Sequence, residues 1–198
     1  MTIPPGVLVI VAYLLGSISF AVLLVRAKTG GDIRAEGSGN AGATNVLRSH
    51  GKKLALLVAL ADVAKGIAPV LLMRLVTLDP RWAAAAGFAA ILGHVFPVFY
   101  GFRGGKGVAT AVGAFLALSP LALLVTLVVF IAIVAATRYV SLASVVAFAV
   151  LPPIAGLVFH APRAVVTAAG LTAILILFKH LPNLKRLARG EEGKLGRG

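Results

Sequence analysis

Apolar runs of membrane-crossing length alternate along the chain with short loops that are basic, glycine-rich or both. Pro4 to Val25 is a run of about 22 residues, enough for a helix to cross roughly 30 Å of hydrocarbon. Leu54 to Val76 predicts a second span. Asp79-Pro80-Arg81 turns the chain, and Trp82 to Phe99 predicts a third span with Trp82 as an interfacial anchor. Val108 to Ala136 is apolar throughout but contains Ser119-Pro120, and proline disfavours helix at the residue before it. Tyr139 to Phe159, interrupted by Pro152-Pro153, and Ala164 to Phe178 predict the last spans.

Charge decides whether Val108–Ala136 is one helix or two. If it splits at Ser119-Pro120, the loops after the odd-numbered helices share one side. They carry Arg26, Lys28, Arg34, Arg48, Lys52, Lys53, Arg103, Lys106 and Arg138, and the tail adds Lys179, Lys185, Arg186, Arg189, Lys194 and Arg197. That side then holds fifteen of the 19 basic residues. With six spans, Arg138 and the tail would move outside, against the bias of Lys and Arg toward the cytoplasm. The expectation is an all-α integral membrane protein of seven transmembrane helices. Its N-terminus lies outside and its C-terminus in the cytoplasm, with two short helices around Ser119-Pro120. Broken helices need protein neighbours or water for their ends, so this region is expected to pack inside the bundle or to thin the bilayer locally.

Composition agrees with a single polytopic membrane domain over residues 1–198, since 60% of residues are hydrophobic, only 13% are charged and no long polar segment interrupts them. The first span begins Met1-Thr2-Ile3-Pro4-Pro5 without a basic stretch, so it reads as a retained helix rather than a signal peptide. The absence of cysteine excludes disulfides, thiol nucleophiles and thiolate metal sites. Six acidic residues, Asp32, Glu36, Asp62, Asp79, Glu191 and Glu192, are poor material for a magnesium or two-metal site, so no metal is expected. The net charge of +13 sits in loops beside apolar spans, which suits membrane topology and anionic lipid or substrate better than nucleic acid.

Against this background Gly37-Ser38-Gly39-Asn40-Ala41-Gly42-Ala43-Thr44-Asn45 stands out as small, polar and uncharged. Its glycines let several backbone N–H groups point into one space, and Ser38, Asn40, Thr44 and Asn45 add short side-chain donors, a combination that suits phosphate or carbonyl oxygens. The second such loop, Tyr100-Gly101-Phe102-Arg103-Gly104-Gly105-Lys106-Gly107, opens a helix. Helix starts offer free N–H groups and partial positive charge, and Lys106 adds a full one. It is not a Walker A loop, because Tyr100 stands at the first glycine and Gly107 replaces Ser/Thr. The third polar group runs from Lys179-His180-Leu181-Pro182-Asn183 through Lys185, Arg186, Arg189 and Gly190 to Glu191. His180 either frays into the headgroups, orients a substrate hydroxyl or acts as a base.

Three further polar features each admit two roles. Asp62 and Lys65 share a face inside the second span and form either a self-neutralising pair or the wall of a polar cavity. His94 lies close to the second loop, placed to pack against it or hydrogen-bond it. Tyr139, Ser141 and Ser144 begin the sixth helix, where they cap it or complete a phosphate pocket. The expectation is that three small-residue loops bearing Arg and Lys converge on one face of the bundle. No Ser–His–Asp set has a plausible acidic member, and no histidine is followed five residues later by aspartate. This inventory fits a substrate that arrives already activated, with donors and cations binding phosphate and stabilising a developing oxyanion.

Three stretches in order resemble the acyl-phosphate-dependent glycerol-3-phosphate acyltransferases of bacteria, the PlsY family: Asp32-Ile33-Arg34 through Gly37–Asn45; Gly93-His94-Val95-Phe96-Pro97 through Gly104–Thr110; and His180-Leu181-Pro182-Asn183 through Arg186-Leu187, Gly190 and Glu191. Asp62 with Lys65-Gly66 fits as well, and Arg103 stands where lysine is common. The resemblance covers nearly the whole chain. It implies transfer of a fatty acyl group from acyl phosphate to the 1-position of sn-glycerol 3-phosphate, giving lysophosphatidate and phosphate, as the first step of phospholipid biosynthesis. It also implies a multi-pass protein of the bacterial inner (cytoplasmic) membrane, seven-helical, with its site facing the cytoplasm and no cofactor. The expected catalytic residues are Ser38, Lys106, His180 and Asn183. The expected phosphate-binding residues are Gly37, Gly39, Asn40, Thr44, Asn45, Arg48, Gly104, Gly105, Gly107 and Ser144. Acyl phosphate would enter from the lipid and glycerol 3-phosphate from the cytoplasm, with membrane lipid as surroundings and a monomer as the working form. The rival class is an anion transporter; a one-sided site and the lack of a convincing internal repeat weigh against it. Phosphatidyl-alcohol transfer is weaker still, because its metal-binding aspartates are missing.

Overall fold

A computed structural model describes residues 3–196; Met1, Thr2 and the tail residue Arg197 lie outside them. Among the described residues the regular structure is entirely helical: α1 (Pro5–Gly16), α2 (Phe20–Thr29), α3 (Ala43–His50), α4 (Lys52–Val76), α5 (Pro80–Val95), α6 (Val108–Leu118), α7 (Pro120–Thr137), α8 (Val140–Pro153) and α9 (Arg163–Ala188), with single turns at Ile33–Ala35, Val98–Tyr100 and Ile154–Val158. Among the described residues six segments are long and apolar enough to cross a membrane: Pro5–Thr29, Lys52–Val76, Pro80–Tyr100, Pro120–Thr137, Val140–Val158 and Arg163–Ala188. Val108–Leu118 is apolar but shorter. The helix breaks at Ser119-Pro120 as the proline predicts, but only α6 is short: α7, expected to be short as well, is an 18-residue segment long enough to cross by itself, because the apolar run continues to Thr137 before Arg138 stops it.

Three elements differ from the sequence reading. The first span is not continuous, because Ser17, Ile18 and Ser19 separate α1 from α2. Ser19 Oγ accepts from Val22 N and starts α2, while the carbonyl of Ile18 accepts from Lys65 Nζ at 2.7 Å. A distant ammonium thus satisfies a backbone group that a continuous helix would satisfy itself. The first glycine-rich loop ends early, since α3 begins at Ala43 and takes in Thr44 and Asn45. The last helix does not stop at Phe178; it continues through Pro182 to Ala188 and carries His180 and Asn183 on buried positions.

The chain forms two compact units that part at Leu118–Ser119. In the first, α4 packs against α6, α5, α3, α1 and α2, and α1 lies along α5. Backbones approach closely where glycine faces carbonyl. A methyl group at Gly66 of α4 would overlap Thr110 O of α6, and one at Gly113 of α6 would overlap Val63 O. Small residues at such contacts let apolar helices gain van der Waals contact that lipid cannot offer. Beneath the first loop, Val25, Ile33, Val46 and Val58 are fully buried together with Ala21, Ala41 and Leu54. Each such branched side chain stabilises the loop's footing by roughly 1.5–3 kcal/mol relative to exposure. In the second unit α8 packs on both α7 and α9, and the turn Ile154–Val158 that follows Pro152-Pro153 contacts all three.

Candidate functional site

The first loop is shaped by Asn45. Its side chain, 2% exposed, projects from the first turn of α3 back into the loop. Asn45 Oδ1 accepts from Ser38 N at 2.9 Å, and Nδ2 donates to Ile33 O at 3.1 Å and Glu36 O at 2.9 Å. The amide therefore serves as a template for the backbone from Ile33 to Ser38. Gly37 and Gly39 take positive φ values of 53° and 71°, which sets Ser38 on an exposed crest between them. Gly39 N donates to Glu36 O, and Gly42 N to Asn40 O, closing two successive turns. Asn40 and Thr44 are half-buried beside them, and Arg48 is exposed on the last turn of α3.

The second loop meets the first. Arg34 grips Asp32 through Nε, 3.0 Å from Oδ1, and Nη2, 2.6 Å from Oδ2, and donates from Nη1 to Tyr100 O at 3.2 Å. Its guanidinium lies 5.5 Å from the centre of the Tyr100 ring. Hydrogen bonding from Arg34 holds the Asp32 carboxyl below the usual carboxylate range. Further along, Gly105 is packed so tightly that a methyl group there would sit 3.0 Å from Ala41 O and would overlap His94 Nε2. Gly105 N donates to His94 O at 3.1 Å, so the expected link between His94 and this loop is made. Gly107, with φ 84°, leads into α6, and Lys106 is half-buried between two buried glycines. Among the described residues, Ser38, Gly39, Ala41, Gly104, Gly105 and Lys106 thus belong to one pair of touching loops within the first unit. Asn45 acts on that pair from beneath, with both ends of its amide committed to loop backbone.

Asp62 and Lys65 face inward on α4, at 1% and 6% exposure. Lys65 Nζ is 2.9 Å from Asp62 Oδ1, and His94 Nδ1 is 3.6 Å from the same oxygen. The ammonium also donates to Ile18 O at 2.7 Å, so one buried cation serves both a carboxylate and a backbone carbonyl.

In the second unit the polar residues gather round a carboxylate. Glu192 Oε1 accepts from Ser141 Oγ at 2.8 Å and Asn183 Nδ2 at 2.7 Å, and Oε2 accepts from Arg186 Nε at 3.0 Å. Burial alone would raise the Glu192 carboxyl, but the bonds from Asn183 and Ser141 and the Arg186 charge outweigh it and hold it below its ordinary value. The sequence reading carried the third motif only as far as Glu191 and did not reach this residue. Its signal is the i, i+3 pair Asn183 and Arg186, followed by Gly190, whose φ of 74° turns the chain back. The return is pinned by Leu195 N to Arg138 O at 2.8 Å and Arg138 Nε to Leu195 O at 3.0 Å. His180 lies one turn before Asn183, 3% exposed, and its Nδ1 donates to Ile176 O at 2.8 Å. That bond assigns the neutral ring's proton to Nδ1 and leaves Nε2 as the basic nitrogen. Ser141 does not cap α8, and Ser144 donates to Val140 O at 2.8 Å within the same helix. No group of three or more His, Asp or Glu side chains suited to a metal ion occurs among the described residues.

Residues 6–190 match the family model described as glycerol-3-phosphate acyltransferase. The chain is 52% identical to the glycerol-3-phosphate acyltransferase of Halorhodospira halophila, with 96% of each chain covered. It is 48% identical to that of Geobacter sulfurreducens, over 95% of this chain and 96% of the relative. Among solved structures it is similar to PlsY (YgiH), an integral membrane glycerol 3-phosphate acyltransferase, in its glycerol 3-phosphate form. The TM-score is 0.91 at 42% identity, covering 97% of this chain and 96% of that one. The lysophosphatidic acid form of PlsY matches with a TM-score of 0.89 at 41% identity, over 97% of this chain and 95% of that one. With the fold, the loop motifs and full-length identity in agreement, the chain belongs to the glycerol-3-phosphate acyltransferase family.

Proposed function

We propose that this protein transfers a fatty acyl group from acyl phosphate to the 1-position of sn-glycerol 3-phosphate, releasing 1-acyl-sn-glycerol 3-phosphate and inorganic phosphate. The observation that carries the reading is the seating of Gly105, the residue before Lys106, against Ala41 of the first loop, just before the start of α6. Backbone amides freed by glycine, a helix start and an ammonium group make a phosphate grip of the kind an acyl-phosphate reaction needs. Family membership supplies the acceptor, and the PlsY neighbour in its glycerol 3-phosphate form agrees with it.

The chemistry follows from the inventory. The acceptor hydroxyl attacks the acyl carbonyl, the C–O bond to phosphate breaks, and the electron pair leaves on phosphate. Ser38 and Lys106 are assigned to the developing negative charge and the phosphoryl oxygens, and His180 and Asn183 to the hydroxyl. The hydroxyl proton passes either to the departing phosphate or to His180 Nε2. No metal or organic cofactor enters these steps. For topology the reading keeps seven transmembrane helices, N-terminus outside and C-terminus in the cytoplasm, supported by the basic asymmetry of the loops. Because the chain contains no cysteine, single cysteines at positions 28, 81 and 189 report sidedness without background. Labelling of 28 and 189 from the same side as 81 would refute it.

The test of the reaction uses full-length protein in detergent or mesophase. With palmitoyl phosphate and glycerol 3-phosphate, phosphate release should require both substrates, and mass analysis should find lysophosphatidate. Turnover with an acyl thioester but not with acyl phosphate would overturn the donor assignment, and an anion carrier would release no phosphate.

A further inference from the structure

The buried Asp62–Lys65 pair is complete in charge without a third group, yet its carboxylate also faces His94. A paired carboxylate at 1% exposure needs no histidine for neutrality. His94 Nδ1 nevertheless lies 3.6 Å from Asp62 Oδ1, while the rest of the residue is the bed on which the second loop rests. Its carbonyl accepts Gly105 N at 3.1 Å. Methyl groups at Gly104 and Gly105 would overlap His94 O and His94 Nε2 respectively. His94 is therefore held between a carboxylate on α4 and the turn that precedes Lys106.

We propose that Asp62 and His94 are positioning residues: the carboxylate fixes the flip and tilt of the imidazole, and the imidazole fixes the backbone course of Gly104–Gly105 and so the placement of Lys106. The physical basis is asymmetry of the ring. Only one flip brings a nitrogen toward Asp62, and that flip puts the other nitrogen against Gly105. A carboxylate that orients a histidine through one ring nitrogen, so that the opposite nitrogen is presented in a set direction, is a recurrent way of stiffening a site. The functional consequence rests on the reading of Lys106 as a phosphate-gripping residue. The positional claim does not.

The experiment is hydrogen–deuterium exchange on the full-length, ligand-free protein in detergent, with kinetics alongside. His94→Leu fills the space, keeps the main-chain carbonyl and leaves the Asp62–Lys65 pair intact, so it is the deciding variant. Exchange of the peptide covering residues 101–109 should rise at least tenfold while the cores of α4 and α5 hold their wild-type rates. Asp62→Asn should loosen the same peptide, together with the α1–α2 junction that its partner Lys65 holds, and adding it to His94→Leu should bring no further acceleration of the 101–109 peptide, because it acts on that loop through the ring. An unchanged loop in His94→Leu overturns the proposal. So does uniform acceleration across α4, α5 and α6, which would make His94 a bundle support with no special hold on the loop. In the kinetics, KM for glycerol 3-phosphate or for the acyl phosphate should rise about tenfold. If the loop loosens and neither constant moves, the positioning stands and the phosphate-grip reading of the loop falls.

Discussion

Asn45→Ala is the sharpest test of how the first loop is built. The substitution removes one acceptor and two donor interactions, to Ser38 N, Ile33 O and Glu36 O, at a position with 2% exposure. Each intramolecular hydrogen bond contributes a net ~0.5–1.5 kcal/mol, and a buried partner left unsatisfied costs ~1–3 kcal/mol. Ile33 is fully buried, whereas Ser38 is exposed and Glu36 half-buried, so their freed groups regain water. The loss for the native loop conformation is therefore about 2–4 kcal/mol. At 1.4 kcal/mol per factor of ten, that is a fall of roughly 30- to 700-fold in the population of the competent loop. The anchoring helix α3 keeps its apolar face on Val25 and Val58, so most of this loss should stay local. Phosphate release measured against glycerol 3-phosphate concentration should show kcat/KM falling by at least 30-fold, with a melting temperature within a few degrees of wild type. Asn45→Asp should be no better, because it keeps the acceptor for Ser38 N but turns a donor into an anion facing two carbonyls. A variant Asn45→Ala with kcat/KM within threefold of wild type would refute the template role.

Four further outcomes are expected. Lys106→Ala should lower kcat/KM by on the order of 100- to 1000-fold, the cost of removing one strong donor to developing charge, and a loss under tenfold in the phosphate-release assay removes Lys106 from the chemistry. His180→Gln should reduce kcat on the order of 100-fold if Nε2 takes the hydroxyl proton, whereas near-normal turnover assigns that proton to the departing phosphate. Glu192 is held below its ordinary value of 4.5, so its ionised form favours folding; this stabilisation is complete above about pH 4.5 and is lost as pH falls through the lower folded value. Melting temperature followed from pH 7 to pH 3 should therefore drop in wild type and much less in Glu192→Gln, and parallel curves would contradict the ionised assignment. Gly66→Val should destabilise by about 1–3 kcal/mol or more through overlap with Thr110 O, and an unshifted melting temperature in detergent would show that α4 and α6 tolerate separation there.

The presence of apolar runs of membrane-crossing length, the break at Ser119-Pro120 and the two glycine-rich loops were legible in the order of residues alone, whereas the gap at Ser17–Ser19 and the run of the last helix to Ala188 were not. Hydrocarbon thickness demands an apolar run of a given length, proline removes a backbone donor wherever it stands, and glycine frees the backbone through its own lack of a side chain. These are properties of a segment and survive without knowledge of its neighbours. The proximity of His94 to the second loop was legible too, because the two are close along the chain. What the order of residues left open was the direction in which polar side chains point. Asn45 looks like one more donor in a polar loop, and its inward turn depends on where α3 begins. Lys65 reads equally as a cavity wall or half of a neutral pair; its bond to Ile18 O exists only because α1 and α2 part beside α4. Glu191 and Glu192 are indistinguishable on paper, and the return of the chain after Gly190 buries one and exposes the other. In each case the partner is a backbone carbonyl or a side chain from another element, and which of several equal donors meets it is settled by helix rotation and by contacts far apart in sequence. Local composition determined the spans and the loops; only the tertiary packing decided which polar atoms are spent holding the structure together.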